Sequence, residues 1–97
     1  MPAYVIALVA VTDMQRYREY MKATPSVIAE FGGKFIVRGG EAVTLEGAPE
    51  TRRIVILEFP NLEQAMAFYH SPEYAQVKEL RKGAATGDCF AVDGVPA

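Results

Sequence analysis

The run Arg53-Ile54-Val55-Ile56-Leu57-Glu58-Phe59 is apolar on both of its parities, Ile54 and Ile56 on one and Val55, Leu57 and Phe59 on the other. A half-buried strand alternates apolar and polar residues, so a run of this kind has to be covered on two faces. Tyr4 to Val11 repeats the pattern, with Tyr4, Ile6 and Leu8 against Val5, Val9 and Val11. Only two stretches of the 97-residue chain carry helical periodicity, and two helices cover one face of a sheet. A chain of this size buries only about 60–65% of its unfolded surface. A second, uncovered apolar face would be a large exposed patch, and such a patch marks a partner.

Taken in order, the signals give a β-α-β-β-α-β chain. After Tyr4–Val11, Thr12-Asp13 supplies an N-cap, and Met14, Tyr17, Met21, Thr24, Val27, Ile28 and Phe31 recur at three and four residues. Pro25 falls inside that stripe and predicts a kink or a restart with Thr24 as the new cap. Gly32-Gly33 ends the helix, and Lys34 to Arg38 reads as the second strand. Gly39-Gly40 reads as a bulge or tight turn, with Ala42 to Glu46 extended again as a possible fifth strand. The 53–59 strand stops at Pro60, and Asn61 caps the next helix. Ser71-Pro72 breaks that helix and restarts it: Ser71 is an N-cap, Pro72 a first helical residue, and Glu73 suits the positive end of the dipole. Asp88 to Val92 is a last strand, and Gly94 to Ala97 a tail. The order is that of a ferredoxin-like α+β fold with both helices broken. Covering the second sheet face by a copy of itself predicts a symmetric homodimer, sheet against sheet. The whole of 1–97 reads as one domain.

Composition excludes several function classes. Ten Lys plus Arg against twelve Asp plus Glu, with no basic block, argues against nucleic acid as partner. No apolar stretch reaches the roughly 20 residues a membrane span needs. The one cysteine, Cys89, cannot form an internal disulfide, which fits a cytoplasmic setting. One histidine, no HExxH and no Cys/His cluster predict no metal, and no organic cofactor is expected.

Six residues remain as candidates. Arg38 sits in a strand before two glycines; it is either an edge-strand charge or a fixed guanidinium whose planar fork holds a carboxylate. Glu58 interrupts an apolar strand, as a solvated strand end, a partner of Arg38, or a general base in a pocket. His70, at a helix end, is a surface residue or a proton carrier. Tyr74 lies on the core stripe, with a hydroxyl able to reach a pocket. Ser71 and Asp13 are helix caps first and ligand contacts second.

Gly32-Gly33-Lys34-Phe35, Arg38-Gly39-Gly40, Leu45-Glu46-Gly47, Glu58-Phe59-Pro60 and Ser71-Pro72-Glu73-Tyr74 occur together in this order over nearly the whole chain. The combination resembles the domain-of-unknown-function 1330 family, a branch of the dimeric α/β-barrel superfamily, with Phe68 where that family often has Trp. The resemblance implies a ferredoxin-like protomer, a face-to-face sheet dimer, and a pocket between sheet and helices. It implies no particular reaction, since related branches include cofactor-free monooxygenases, isomerases and haem binders. The expectation is an anion-selecting pocket lined by Arg38, Tyr74 and His70, with Glu58 as base or as the partner of Arg38. Its activity would be cofactor-independent proton transfer or oxygenation of a small organic acid or carbonyl compound. The other reading is a non-catalytic binding or stress-related module.

Overall fold

The computed structural model describes residues 1–96; Ala97, the end of the expected tail, lies outside them. The elements are β1 (Ala3–Val11), α1 (Met14–Glu30), β2 (Lys34–Arg38), β3 (Arg53–Phe59), α2 (Leu62–Tyr69), α3 (Pro72–Glu79) and β4 (Ala85–Asp93). The sheet has the strand order β2-β3-β1-β4, with all neighbours antiparallel. This is the ferredoxin-like arrangement that the order of signals predicts.

Register divides the sheet faces as the parities require. Val5 pairs with Leu57 and Ala3 with Phe59, and of these Val5, Leu57 and Phe59 join Ile28, Ala65 and Phe68 in the core beneath the helices. The even residues of β1 point the other way. Tyr4, Ile6 and Leu8 lie opposite Glu58, Ile56 and Ile54, and among the described residues no helix packs over them. β4 extends that face with Phe90 and Val92, which are 52% and 44% exposed.

The helix caps are those the sequence indicates. Asp13 accepts a hydrogen bond from the Arg16 amide at 3.2 Å, Asn61 from Gln64 at 2.7 Å, and Ser71 from Tyr74 at 3.0 Å. The second helical region is interrupted between Tyr69 and Pro72 as expected. The first is not: α1 runs without a break through Pro25. Proline has no N–H to give the carbonyl four residues back, which here belongs to Met21. That carbonyl is taken instead by the Arg38 guanidinium at 2.6 Å and the Thr24 hydroxyl at 3.2 Å. The lost backbone bond is replaced by side-chain donors, one of them from β2, so no restart is needed.

Two further differences concern strands. Ala42 to Glu46 forms no strand; residues 39–52 are an irregular connection in which Val43 and Leu45 are exposed. The bulge falls at Phe35–Val37 rather than at the glycines, because Phe35 pairs with Leu57 while Val37 pairs with Ile56. Gly39 makes a turn at φ +70°, and its amide donates to Ile54 at 2.8 Å.

Candidate functional site

The bulge decides what the edge strand offers to the helix side. With one residue extra, Arg38 pairs with Val55 and so shares a face with Phe35, three positions earlier. Its guanidinium lies over the Phe35 ring, 4.2 Å from the centroid, and is held by the Met21 carbonyl that Pro25 leaves free. Gly39 leaves space for a second guanidinium: a Cβ there would collide with that of Arg53, which donates to the Arg38 carbonyl at 3.5 Å. The buried Nε–H of Arg53 finds no acceptor among the described residues.

These groups line a cavity of about 210 Å³ between the sheet and the helices. Ala7, Val9 and Val55 form an apolar floor, and the rings of Tyr17, Tyr20, Phe68 and Tyr74 close it from the helix side. The Tyr20 and Tyr74 hydroxyls are hydrogen-bonded to each other at 2.7 Å, joining α1 to α3. A third guanidinium, Arg81 just after α3, lies 5.5 Å from the centroid of the Tyr20 ring.

Burial raises the Tyr20 phenol far above its ordinary range, and the adjoining Tyr74 hydroxyl adds to the effect. Burial also raises Tyr17, against the opposing pull of Arg53 and Arg81. Both phenols therefore act as neutral hydrogen-bonding groups, not as bases. Burial disfavours the charge on Arg81, but the Tyr74 and Tyr20 hydroxyls outweigh it and the group remains a cation. Cys89 is exposed as a residue, yet its thiol is partly withdrawn from water, which pushes it up; Arg81 and Lys78 act in the opposite direction.

The charge balance of the lining is one-sided. Arg38, Arg53 and Arg81 face it, and among the described residues the sole carboxylate that lines it is Asp88. Asp88 sits opposite Leu8 on the outer parity and is tied to Arg52 at 2.8 Å. Glu50 binds the same Arg52 through two hydrogen bonds of 2.9 Å, and that guanidinium holds the Glu50 carboxyl down to about 2.

Of the six candidate residues, Arg38 and Tyr74 meet at the cavity and the other four do not line it. Glu58 faces the outer side of the sheet, where it accepts from the Tyr4 hydroxyl at 3.3 Å and pairs with Lys34 at 3.3 Å. It neither pairs with Arg38 nor reaches the cavity, because it follows Leu57 by one residue and alternation turns it away. His70 is exposed at the end of α2, edge-on to Tyr69. Ser71 and Asp13 serve as caps, and the Ser71 hydroxyl also donates to the Phe68 carbonyl at 2.8 Å. The residues that sequence reasoning missed in this role are Tyr20, Arg53 and Arg81, with Tyr17 read only as core. Tyr20 continues the Tyr17–Met21–Thr24 stripe, and that periodicity was the available signal for it. Arg53, at the start of an apolar strand and on the parity of Val55 and Leu57, was legible in the same way.

Among the described residues, no helix is long and apolar enough to cross a membrane, and no three His, Cys, Asp or Glu side chains are grouped to hold a metal ion.

Residues 2–95 match the family described as a domain of unknown function (DUF1330). No curated protein matches the chain. Among solved structures, the fold is similar to that of a Rhodopseudomonas palustris protein of unknown function, RPA0582, at a TM-score of 0.75 and 19% identity, over 99% of this chain and 84% of that one. It is also similar to SnoaB, a cofactor-independent oxygenase from Streptomyces nogalater, at a TM-score of 0.70 and 9% identity, over 99% and 95%. A dimeric protein of unknown function with a ferredoxin-like fold from Bacteroides fragilis aligns at a TM-score of 0.56 and 20% identity, over 96% of each chain. At these identities the likeness is one of fold.

Proposed function

We propose that this chain, which belongs to the DUF1330 family, binds a small organic anion in the cavity between sheet and helices, and does so as a cytoplasmic homodimer of single-domain protomers. The observation that carries the reading is the set of three guanidinium groups, Arg38, Arg53 and Arg81, on a cavity whose one carboxylate among the described residues is engaged by Arg52. Low-dielectric walls strengthen the attraction of such a set for an anion, and the planar fork of arginine suits a carboxylate. Cofactor-independent chemistry on that anion is the activity we propose, with oxygenation favoured over proton transfer for want of a base, and SnoaB offers an analogy for oxygenation. With Glu58 and His70 outside the cavity, its side chains hold and polarise an anion; among the described residues they supply no free carboxylate or imidazole base.

Isothermal titration with 4-isopropylbenzoate and with 4-isopropylbenzyl alcohol separates charge from shape. The carboxylate binds more tightly, and Arg38→Ala weakens it by about 1.5–3 kcal/mol, the range for hydrogen bonds to charged groups. Equal binding of alcohol and carboxylate would refute anion selection.

The homodimer reading rests on the outer sheet face, where Ile6, Leu8, Ile54, Ile56, Phe90 and Val92 form one apolar surface bordered by the Lys34–Glu58 and Arg52–Asp88 pairs. A protein described as dimeric shares the fold. Sedimentation equilibrium at micromolar concentration is expected to give twice the 10.6 kDa chain mass, and Ile56→Asp to dissociate and destabilise it. A species of single chain mass in the unaltered protein would sink this part of the proposal.

A further inference from the structure

The hydrogen-bonding groups on the cavity specify more than a charge. The Tyr20 and Tyr74 hydroxyls hold two protons between them, and their mutual bond at 2.7 Å uses one. The second O–H has no other acceptor among the described residues, and the adjacent Arg81 is a donor only. This spare phenol donor belongs to the helix side of the cavity. A second spare donor, the buried Nε–H of Arg53, belongs to the sheet side. The buried Arg53 donor costs free energy while it lacks an acceptor, and the part-buried phenol donor is free to bond a ligand, so a ligand that brings acceptors to both is selected over one that brings a single acceptor. The floor between them, Ala7, Val9 and Val55, is apolar and built of small residues. A volume of 210 Å³ corresponds to about seven waters, which is space for a single ring with short substituents.

We infer that the ligand class is a one-ring or equally compact conjugated acid with two separate oxygen functions. Its carboxylate lies against Arg38 and Arg53 on the sheet side, and its carbonyl or enolate oxygen against the Tyr20–Tyr74 hydroxyls and Arg81 on the helix side. This rests on the anion reading above and deepens it. The second contact has a chemical consequence. A phenol O–H beside a guanidinium stabilises negative charge on a carbonyl oxygen, so the site polarises the ketone of its ligand.

A matched set of probes tests it. 4-Acetylbenzoate and 4-isopropylbenzoate have nearly the same shape, and only the first carries the second acceptor; the 3-substituted isomers cover the other spacing. In titration calorimetry the better acetyl isomer is expected to bind about 10-fold more tightly than its isopropyl counterpart, the effect of one good hydrogen bond. Its ketone stretch is expected to move to lower frequency on binding. The double variant Tyr20→Phe, Tyr74→Phe keeps both rings and removes both hydroxyls. It is expected to abolish the infrared shift and the acetyl preference, so that the acetyl and isopropyl acids bind within about 2-fold of each other. If that variant does not fold, the comparison in the unaltered protein decides alone. Equal binding of acetyl and isopropyl acids, both tighter than the benzyl alcohol, overturns the two-acceptor inference and leaves the anion reading intact. Alcohol binding as tight as acid binding overturns both.

Discussion

Replacing Pro25 by alanine is expected to strengthen the fold and weaken the site. Proline in a helix interior costs about 3 kcal/mol relative to alanine, largely through the missing N–H and the clash with the preceding turn. In this helix the Met21 carbonyl that would have accepted that N–H is bound by Arg38 at 2.6 Å and by Thr24 at 3.2 Å. The backbone N–H that Pro25→Ala restores competes for the same oxygen, which has two lone pairs and cannot serve three donors well. Arg38 is the donor most readily displaced, because its end of the contact is exposed. Loss of a hydrogen bond from a charged group costs about 1.5 kcal/mol at the low end of its range. The net gain is then about 1.5 kcal/mol rather than the full 3, a rise in melting temperature of about 6–12 °C for a domain of this size. Calorimetric melting at fixed protein concentration measures the first effect. Titration with 4-isopropylbenzoate measures the second, expected as about 5- to 10-fold weaker binding once Arg38 is no longer fixed. A gain of the full 3 kcal/mol with unchanged affinity would show that the Met21 carbonyl does not position Arg38, and would refute the reasoning.

Ser71→Ala is expected to cost about 1 kcal/mol, as loss of an N-cap does, with carboxylate affinity unchanged; weaker binding out of proportion to the lost stability would return Ser71 to the site. Tyr17 and Tyr20 hold their protons in the folded chain above the pH at which the unfolded chain releases them. Their contribution to stability is thus complete below about pH 10 and declines as pH rises beyond it. Denaturation midpoints followed from about pH 9 to 11 should fall more steeply for the unaltered protein than for the variant Tyr20→Phe, and parallel curves would contradict the burial of the Tyr20 phenol.

The fold was legible because its signals are local. Apolar runs on both parities, the caps Asp13, Asn61 and Ser71, and the Gly32-Gly33 stop each act within a turn or two of chain. The site was legible only in part because its determinants act at a distance. Pro25 reads as a break until the guanidinium of Arg38, remote in sequence, is known to satisfy the freed carbonyl. Strict alternation from Phe35 would put Arg38 on the outer face, and the bulge that reverses this leaves no mark in a strand of ordinary composition. Glu58 stood out as a carboxylate among apolar residues, but the contrast says only that it differs from its neighbours; its parity matches Ile54 and Ile56, and the outer face holds all three. Arg53 and Arg81 drew no attention because charges at strand starts and helix ends are ordinary, and only the cavity makes them converge.

The bulge also governs how this chain should be compared with others. Ile36 is the extra residue: Phe35, Val37 and Arg38 would keep their partners Leu57, Ile56 and Val55 if it were deleted. Loss of that one codon straightens an exposed edge and leaves the lining of the cavity as it is. A relative without the bulge should therefore carry its equivalent arginine two positions after the aromatic residue, not three. Aligning such chains on unbroken spacing would set the arginine against a residue of the wrong face and hide a shared site.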